Sequence, residues 1–532
     1  MAPTAPLASP IWTDGDGTPP LSDRVLEMHG KEDPRPGMTR LAAAVRVGLL
    51  AAAAFVGGCE SLFPPDAKHH THLGIPPHWI AGDAPLPTHF PDHDWVAAFG
   101  EPDLTAFVGR VMEENRDLKA AQSRIEIAGA NARIAGADLY PRLDGSFSGQ
   151  RNAQNFIGLP LPGVPPDTIL SSQSNHFGLS LDLQWEIDLW GRIRAAQSAV
   201  VAEFEASGYD FATAQLSLAG QAAKTWFALA EAKDQVALAR NAIATFSETE
   251  SAIRERFERG IEDEGRNPAS QLLLARADVA NARESLAARE ELVGRAARQL
   301  EILAGGYPNG AAGSSARLPE MPGKVPAGLP ATLLDRRPDL ASAERRIAAA
   351  DKRLLEAKRS LLPAIRLTGS YGHASEDISD ILNNDFSVWN VAGNLAQPIL
   401  QGGRLRANIA KRDSELELAA AEFEQAALTA FSEVENALAA ETFLTRRVDA
   451  LENASRLALA AYRRSLEEFE RGTGDFLTVL TSQQRLFTSR AQSIGMRRQR
   501  LDNRVDLYLA LGGSFQPAEP SHATATATAT KP

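Results

Sequence analysis

The sequence predicts an α plus transmembrane β-barrel protein, internally duplicated as helix, strand, strand, helix, helix. Three observations carry this: self-similarity at a fixed spacing, alternation of apolar and polar residues in short segments of each copy, and long stretches rich in Ala, Leu, Glu, Arg and Gln between them. The 532 residues, 44% hydrophobic, are ample for a core, which excludes wholesale disorder. A formal charge of −12 lacks the basic footprint that neutralises phosphates, so no nucleic-acid partner is expected. A single cysteine excludes an intrachain disulfide framework and cysteine-rich metal ligation.

Taken in chain order, residues 1–58 read as an N-terminal extension and signal peptide. Residues 41–58 are an apolar run flanked by Arg40, interrupted at Arg46 and ending in small residues. Val56-Gly57-Gly58-Cys59 resembles a bacterial lipobox, which makes Cys59 the lipid-modified first residue of the mature chain. A plain membrane anchor fits less well, because the run after Arg46 is short against a bilayer core of about 30 Å. The start codon stays open between Met1, Met28 and Met38. Residues 59–95 form a lipid-anchored linker rich in proline and histidine (His69, His70, His72, His78, His89, His93). No regular ligand spacing supports a metal site there, so a solvated tether is expected.

The body is a duplication. A shift of 222 places Asp117-Leu118 on Asp339-Leu340, Arg124-Ile125 on Arg346-Ile347 and Pro141 on Pro363. A shift of 212 places Gly191-Arg192 on Gly403-Arg404, Phe257-Glu258-Arg259-Gly260 on Phe469-Glu470-Arg471-Gly472, and Ser270-Gln271 on Ser482-Gln483. Repeat 1 spans 96–305 and repeat 2 spans 334–513, with a linker at 306–333 and a disordered tail at 514–532. Helices are expected over about 101–140, 192–305, 337–362 and 404–511. Pro141 and Pro363 mark the change to extended chain, and Gly191 and Gly402-Gly403 the return.

Strands are expected at 142–151, 176–189, 364–373 and 386–398. From Phe177 to Leu189 every odd residue is apolar and every even one polar or glycine, which puts all the apolar side chains on one face of a strand. Such a strand suits a water-filled membrane barrel with lipid outside and lumen inside. Asp182, Glu186 and Asp188 then fall on the lumenal face and line the pore. A soluble sandwich would alternate too, but would not ordinarily carry so much helix. Four strands cannot close a wide barrel; three copies give twelve, which do.

Trp185-Glu186-Ile187-Asp188-Leu189-Trp190-Gly191-Arg192, Arg337-Pro338-Asp339-Leu340 and Gln397-Pro398-Ile399-Leu400-Gln401-Gly402-Gly403-Arg404 resemble the signatures of TolC-like outer membrane efflux proteins. With the lipobox, the resemblance is to the NodT-type lipoproteins of resistance–nodulation–division efflux systems. It implies a homotrimer with a twelve-stranded barrel in outer membrane lipid, continued by a periplasmic α-helical barrel. The same resemblance implies docking on a periplasmic adaptor and an inner-membrane pump, passive conduction, a lipid anchor on the periplasmic side, and no cofactor.

It also implies where function concentrates. Arg259-Gly260 and Arg471-Gly472-Thr473 match the helix-turn tips that meet the adaptor, although a bare turn glycine would read the same way at either tip alone. Leu477 matches the leucine of the periplasmic gate, while Thr478 and Thr481 stand where relatives carry acids. Asp475 or the Glu262-Asp263-Glu264 cluster would have to supply any gate charge; a solvated acidic turn is the alternative. Two other classes compete. No nucleophile-elbow, zinc-protease, P-loop or dinucleotide motif supports catalysis, so no enzyme and no metal site is expected. A periplasmic adaptor or coiled-coil scaffold accounts for the helices but not for twin lipid-facing hairpins.

Overall fold

The computed structural model describes residues 74–81, 95–156, 165, 169–259, 268–313, 315–325 and 330–513. Cys59, Gly260, the Glu262–Glu264 cluster, the tail and all linker histidines but His78 lie outside these residues. Each repeat follows the expected order. Repeat 1 comprises α1 (Pro102–Glu114), α2 (Arg116–Ala137), β1 (Arg142–Phe156), β2 (Leu170–Ile187), α3 (Arg192–Glu258) and α4 (Pro268–Leu303). Repeat 2 comprises α5 (Pro338–Arg359), β3 (Ala364–Ser375), β4 (Ser387–Ala396), α6 (Arg404–Glu470) and α7 (Phe476–Ala510).

The duplication is metrically close. Helices α3 and α6 each have 67 residues, about 100 Å at 1.5 Å per residue, and α2 and α5 each have 22. Both long helices begin after a glycine in the left-handed region, Gly191 at φ 75° and Gly403 at φ 83°. An L side chain there would be strained, so the glycine sets the sharp turn from strand to helix. At Gly191 the turn is also held from outside, because Arg359 Nη1 donates to its carbonyl at 2.7 Å.

Several boundaries differ from expectation: β1 runs on to Phe156, β2 starts at Leu170 and ends at Ile187, and β4 ends at Ala396. The stretch 101–140 is two helices, because the Asn115 side chain accepts from the amides of Asp117 (2.8 Å) and Leu118 (3.1 Å) and so caps α2. Arg337 is its counterpart before α5, where Pro338 occupies the first turn.

The four strands form one antiparallel sheet in the order β1-β2-β3-β4. Helix α3 packs against α4, and α6 against α7; α2, α5 and α7 also pack on α3. The largest core lies at the waist, where Trp95 stacks on Tyr508 (centroids 5.7 Å apart), Phe99 meets Phe227 (5.2 Å) and Phe107 meets Trp226 (5.4 Å). Burial of such side chains contributes about 1.5–3 kcal/mol each.

Polar ties fix the irregular segments around this core. The Glu301 carboxylate accepts from the amides of Gly310, Ala311 and Ala312 at 2.7–3.1 Å, which holds the start of the inter-repeat linker. Buried Arg504 donates to the Pro322 carbonyl (3.0 Å) and to Glu441 (2.9 Å). The segment around Trp79 is tied as well: Glu435 of α6 accepts from the amides of Ile80 (2.7 Å) and Ala81 (2.8 Å), while Trp79 packs on Phe431.

Candidate channel wall, gate and docking tip

The sheet register decides which side chains share a face. Leu143 pairs with Leu183, Leu183 with Gly369, and Gly369 with Val391; the next row is Gly145, Leu181, Tyr371 and Trp389. Ile187, Ile365 and Leu395 close the row nearest the helices. Odd residues of all four strands therefore make one apolar face, and it is bare: Leu181 is 51% exposed, Val391 69% and Trp389 75%. An uncovered apolar surface of this size has to meet lipid or another chain.

The apolar odd residues of β2 run from Phe177 to Ile187, which at a tilt of about 45° spans about 25 Å, the height of a barrel's lipid band. Past Phe177 the same face turns polar, with Asn175, Gln173 and Ser171 opposite Arg151, Ala153 and Asn155. At the other end the Trp185 indole donates to the Leu139 carbonyl (3.0 Å) and that of Trp190 to the Pro363 carbonyl (2.8 Å). Ring-apolar, edge-polar side chains belong at such an interface. No described helix is long and apolar enough to cross a membrane.

The even face is polar. Asp144 lies opposite Asp182, Asp182 opposite Ser370, and Ser370 opposite Asn390. The Asp182 carboxylate accepts from Ser146 (3.1 Å) and Ser180 (2.9 Å). Glu186 accepts from Arg192 (2.7 Å) and Arg366 (3.3 Å) at the floor of a cleft of about 760 Å³ between sheet and helices.

Asp188 departs from the expected pore lining. Strand β2 ends at Ile187, and the Asp188 carboxylate turns back to accept from the amides of Ile193 (3.0 Å) and Arg194 (2.9 Å). With its side chain only 8% exposed, it closes the start of α3.

The far end of the helices is described at the turn between α6 and α7. Helix α6 ends through Gly472 at φ 75°, with the amides of Thr473 and Gly474 both donating to the Glu468 carbonyl at 2.9 Å. Asp475 then caps α7 by accepting from the Leu477 amide (3.2 Å). Arg471, Gly472 and Thr473 are exposed around this turn, and Arg259 is exposed at the end of α3, paired with Glu255.

Behind the turn, Phe469 and Phe476 pack with Ile253, Leu272, Val479 and Leu480, so both repeats share one tip core. The Arg256 guanidinium lies 4.6 Å from the Phe469 ring centroid. Fully buried Gln483 donates to Thr249 Oγ1 at 2.7 Å, and Ser465 and Ser482 bond at 2.7 Å. In the sequence Ser482-Gln483 stands out only as a repeat signature; its role in joining α7 to α3 is a product of the fold. Leu477, Thr478 and Thr481 are all exposed on the free face of α7.

A sheet that is bare and apolar outside, polar inside, and continued by 100 Å helices defines a membrane channel of the outer-membrane kind. Residues 108–306 and 329–513 match the outer membrane efflux protein family, and the chain belongs to it. It is 29% identical over 422 residues to the solvent efflux pump outer membrane protein SrpC of Pseudomonas putida, covering 79% of this chain and 87% of that one. It is 29% identical over 480 residues to the pyoverdine export outer membrane protein OpmQ of Pseudomonas aeruginosa, covering 88% and 97%. Among solved structures, the outer-membrane channel OprN superposes with a TM-score of 0.76 at 25% identity over 85% of this chain and 99% of OprN. The Neisseria gonorrhoeae MtrE channel in its open state superposes with a TM-score of 0.72 at 25% identity, over 85% and 98%. The protein is an outer membrane efflux channel component.

Proposed function

We propose that three copies of this chain assemble into one twelve-stranded barrel and conduct cargo passively from a periplasmic adaptor and an inner-membrane pump to the exterior. The observation that carries the reading is the open sheet. Strands β1 and β4 each pair on one side only, and hydrocarbon tolerates no unpaired strand edge, so the edges must close on other copies. The odd face then contacts lipid, while Asp182 and Glu186 line the lumen. Leu477, Thr478 and Thr481 form the gate, and the turns at Arg259-Gly260 and Arg471-Gly472-Thr473 meet the adaptor. Cys59 carries the lipid anchor, on the periplasmic side of the outer membrane.

No catalysis is assigned, and among the described residues no cluster of His, Cys, Asp and Glu is arranged to hold a metal. Relatives named for solvent efflux and for pyoverdine export match most of this chain in sequence, which supports a wall that leaves cargo choice to the pump. The reading as an adaptor or scaffold leaves the sheet without a purpose. Spin labels at Leu181 and Leu183 are expected to be shielded from aqueous quenchers, and a label at Gln184 accessible to them. The reverse pattern would overturn the pore. Cross-linking from Arg471 should capture an adaptor, and heat-sensitive trimers should fractionate with the outer membrane.

A further inference from the structure

The exposed face of α7 carries an unusual charge pattern. Thr478, Thr481, Arg485, Thr488, Gln492 and Gln499 follow one another at helical spacing and all are exposed. The opposite face, through Phe476, Val479, Leu480, Gln483 and Leu486, is buried in the protomer. Asp506, two turns past Gln499, pairs with Lys224, and among the exposed residues of α7 from Leu477 to Gln492, Arg485 alone is charged.

It also makes no ion pair among the described residues. Its neighbours one turn away are Thr481, Ser482, Thr488 and Ser489, none of them acidic. Several acids of the surrounding elements are engaged elsewhere. Asp475 caps α7, and Glu250 of α3 pairs with Arg254 and Arg276. Glu467 and Glu468 of α6 both pair with Arg464. Asp278 of α4 accepts from Gln484 at 3.2 Å, and its burial raises its pKa.

We infer that Arg485, repeated three times around the pore axis, makes the periplasmic entrance anion-preferring, so that the lumen favours anionic cargo and anionic counter-ions over cations. The inference rests on the trimeric reading in which Leu477, Thr478 and Thr481 face the pore. Arg485 lies eight residues beyond Leu477, about 12 Å further along the axis. Three unpaired guanidinium groups in a narrow, protein-walled passage concentrate anions, and threonine and glutamine around them offer no opposing charge. The barrel above does not set a sign, because Arg142 and Arg366 share its lumenal face with Asp144, Asp182 and Glu186.

The test uses the full-length trimer in planar bilayers under a tenfold KCl gradient at low ionic strength, where screening is weak. Leu477→Cys labelled with a methanethiosulfonate reagent should block the current, with the unmodified protein as the control for Cys59. Arg485→Gln should then lower the chloride-to-potassium permeability ratio about two- to threefold, Arg485→Glu should invert the preference, and Arg485→Lys should retain it. Unchanged reversal potentials in the Gln and Glu variants, with the Leu477→Cys block intact, would overturn the inference while leaving the channel standing. Absence of conductance, or a Leu477→Cys current indifferent to the reagent, would overturn the pore reading and this inference with it.

Discussion

Helices α3 and α6 have the same length, start after the same kind of glycine and end on the same Phe-Glu-Arg-Gly tetrapeptide, yet α3 buries 22 residues and α6 buries nine. Helix α3 is surrounded by α2, α4, α5 and α7, whereas α6 has α7 and α5. Several of its large apolar residues stand in the open, among them Leu418, Leu428, Phe443 and Leu457. Duplication therefore produced one helix that makes the protomer and one that presents a surface. This asymmetry is what a subunit awaiting neighbours should show.

The strongest way to break the comparison is to cut both helices. Phe227 of α3 is fully buried against Phe99, so Phe227→Ala should cost about 3–5 kcal/mol and abolish trimers at the protomer level, as read by thermal melts in detergent. Phe443→Ala on α6 should leave the protomer fold within about 0.5 kcal/mol and instead lower the temperature at which trimers dissociate on gels. Equal protomer losses from both substitutions would show that the two helices are equivalent after all.

A smaller effect is expected where repeat 2 is fastened to the waist. Arg337 bridges Asp339 (2.7 Å) and Glu433 of α6 (2.5 Å) and donates to the Ala510 carbonyl (3.2 Å). Its partners are a third to a half exposed, so Arg337→Ala should cost about 1–3 kcal/mol rather than the larger figure for a sealed pair. Hydrogen exchange should localise the loss to α5 and the middle of α6.

The contact of α7 with α3 should respond to pH. Asp502, buried beside Arg498 and Asp506 of its own helix and Lys224 and Glu231 of α3, is pushed up to about 6 by desolvation. The folded state therefore holds this proton more tightly than the unfolded chain, and stability falls as pH rises from about 4 to about 6. Asp502→Asn should remove that slope and raise stability at pH 7 by of the order of 1–3 kcal/mol in chemical melts. A slope unchanged by the substitution would place the titration elsewhere. Smallest of all, Asp475→Ala should cost about 1 kcal/mol and speed proteolysis at the tip of α6 and α7, by removing the cap.

Much of this was legible in the sequence because it is local. The shifts of 222 and 212 fixed equal helices in both copies, and the alternation at Phe177–Ile187 fixed which face of the sheet is apolar. The helix break at Asn115 was missed in the stretch 101–140, although an asparagine two residues before an aspartate is a local capping signal. The illegible parts are long-range. Gln483 finds Thr249 across 234 residues, and Arg504 finds Glu441 across 63. Asp188 looked like one more lumenal acid because alternation carried past the end of the strand, where the polypeptide had already begun to turn.

The grip of Glu435 on the amides of Ile80 and Ala81 sets the length of a leash. From Cys59 to Trp79 there are 20 residues, which reach at most about 70 Å when stretched. Glu435 lies 31 residues from the start of α6, about 47 Å along the helix from the membrane end. On the proposed anchoring, 20 residues exceed the distance from this grip to the membrane end of α6, so the waist rather than the acyl group decides how far along the rim a subunit's mooring extends.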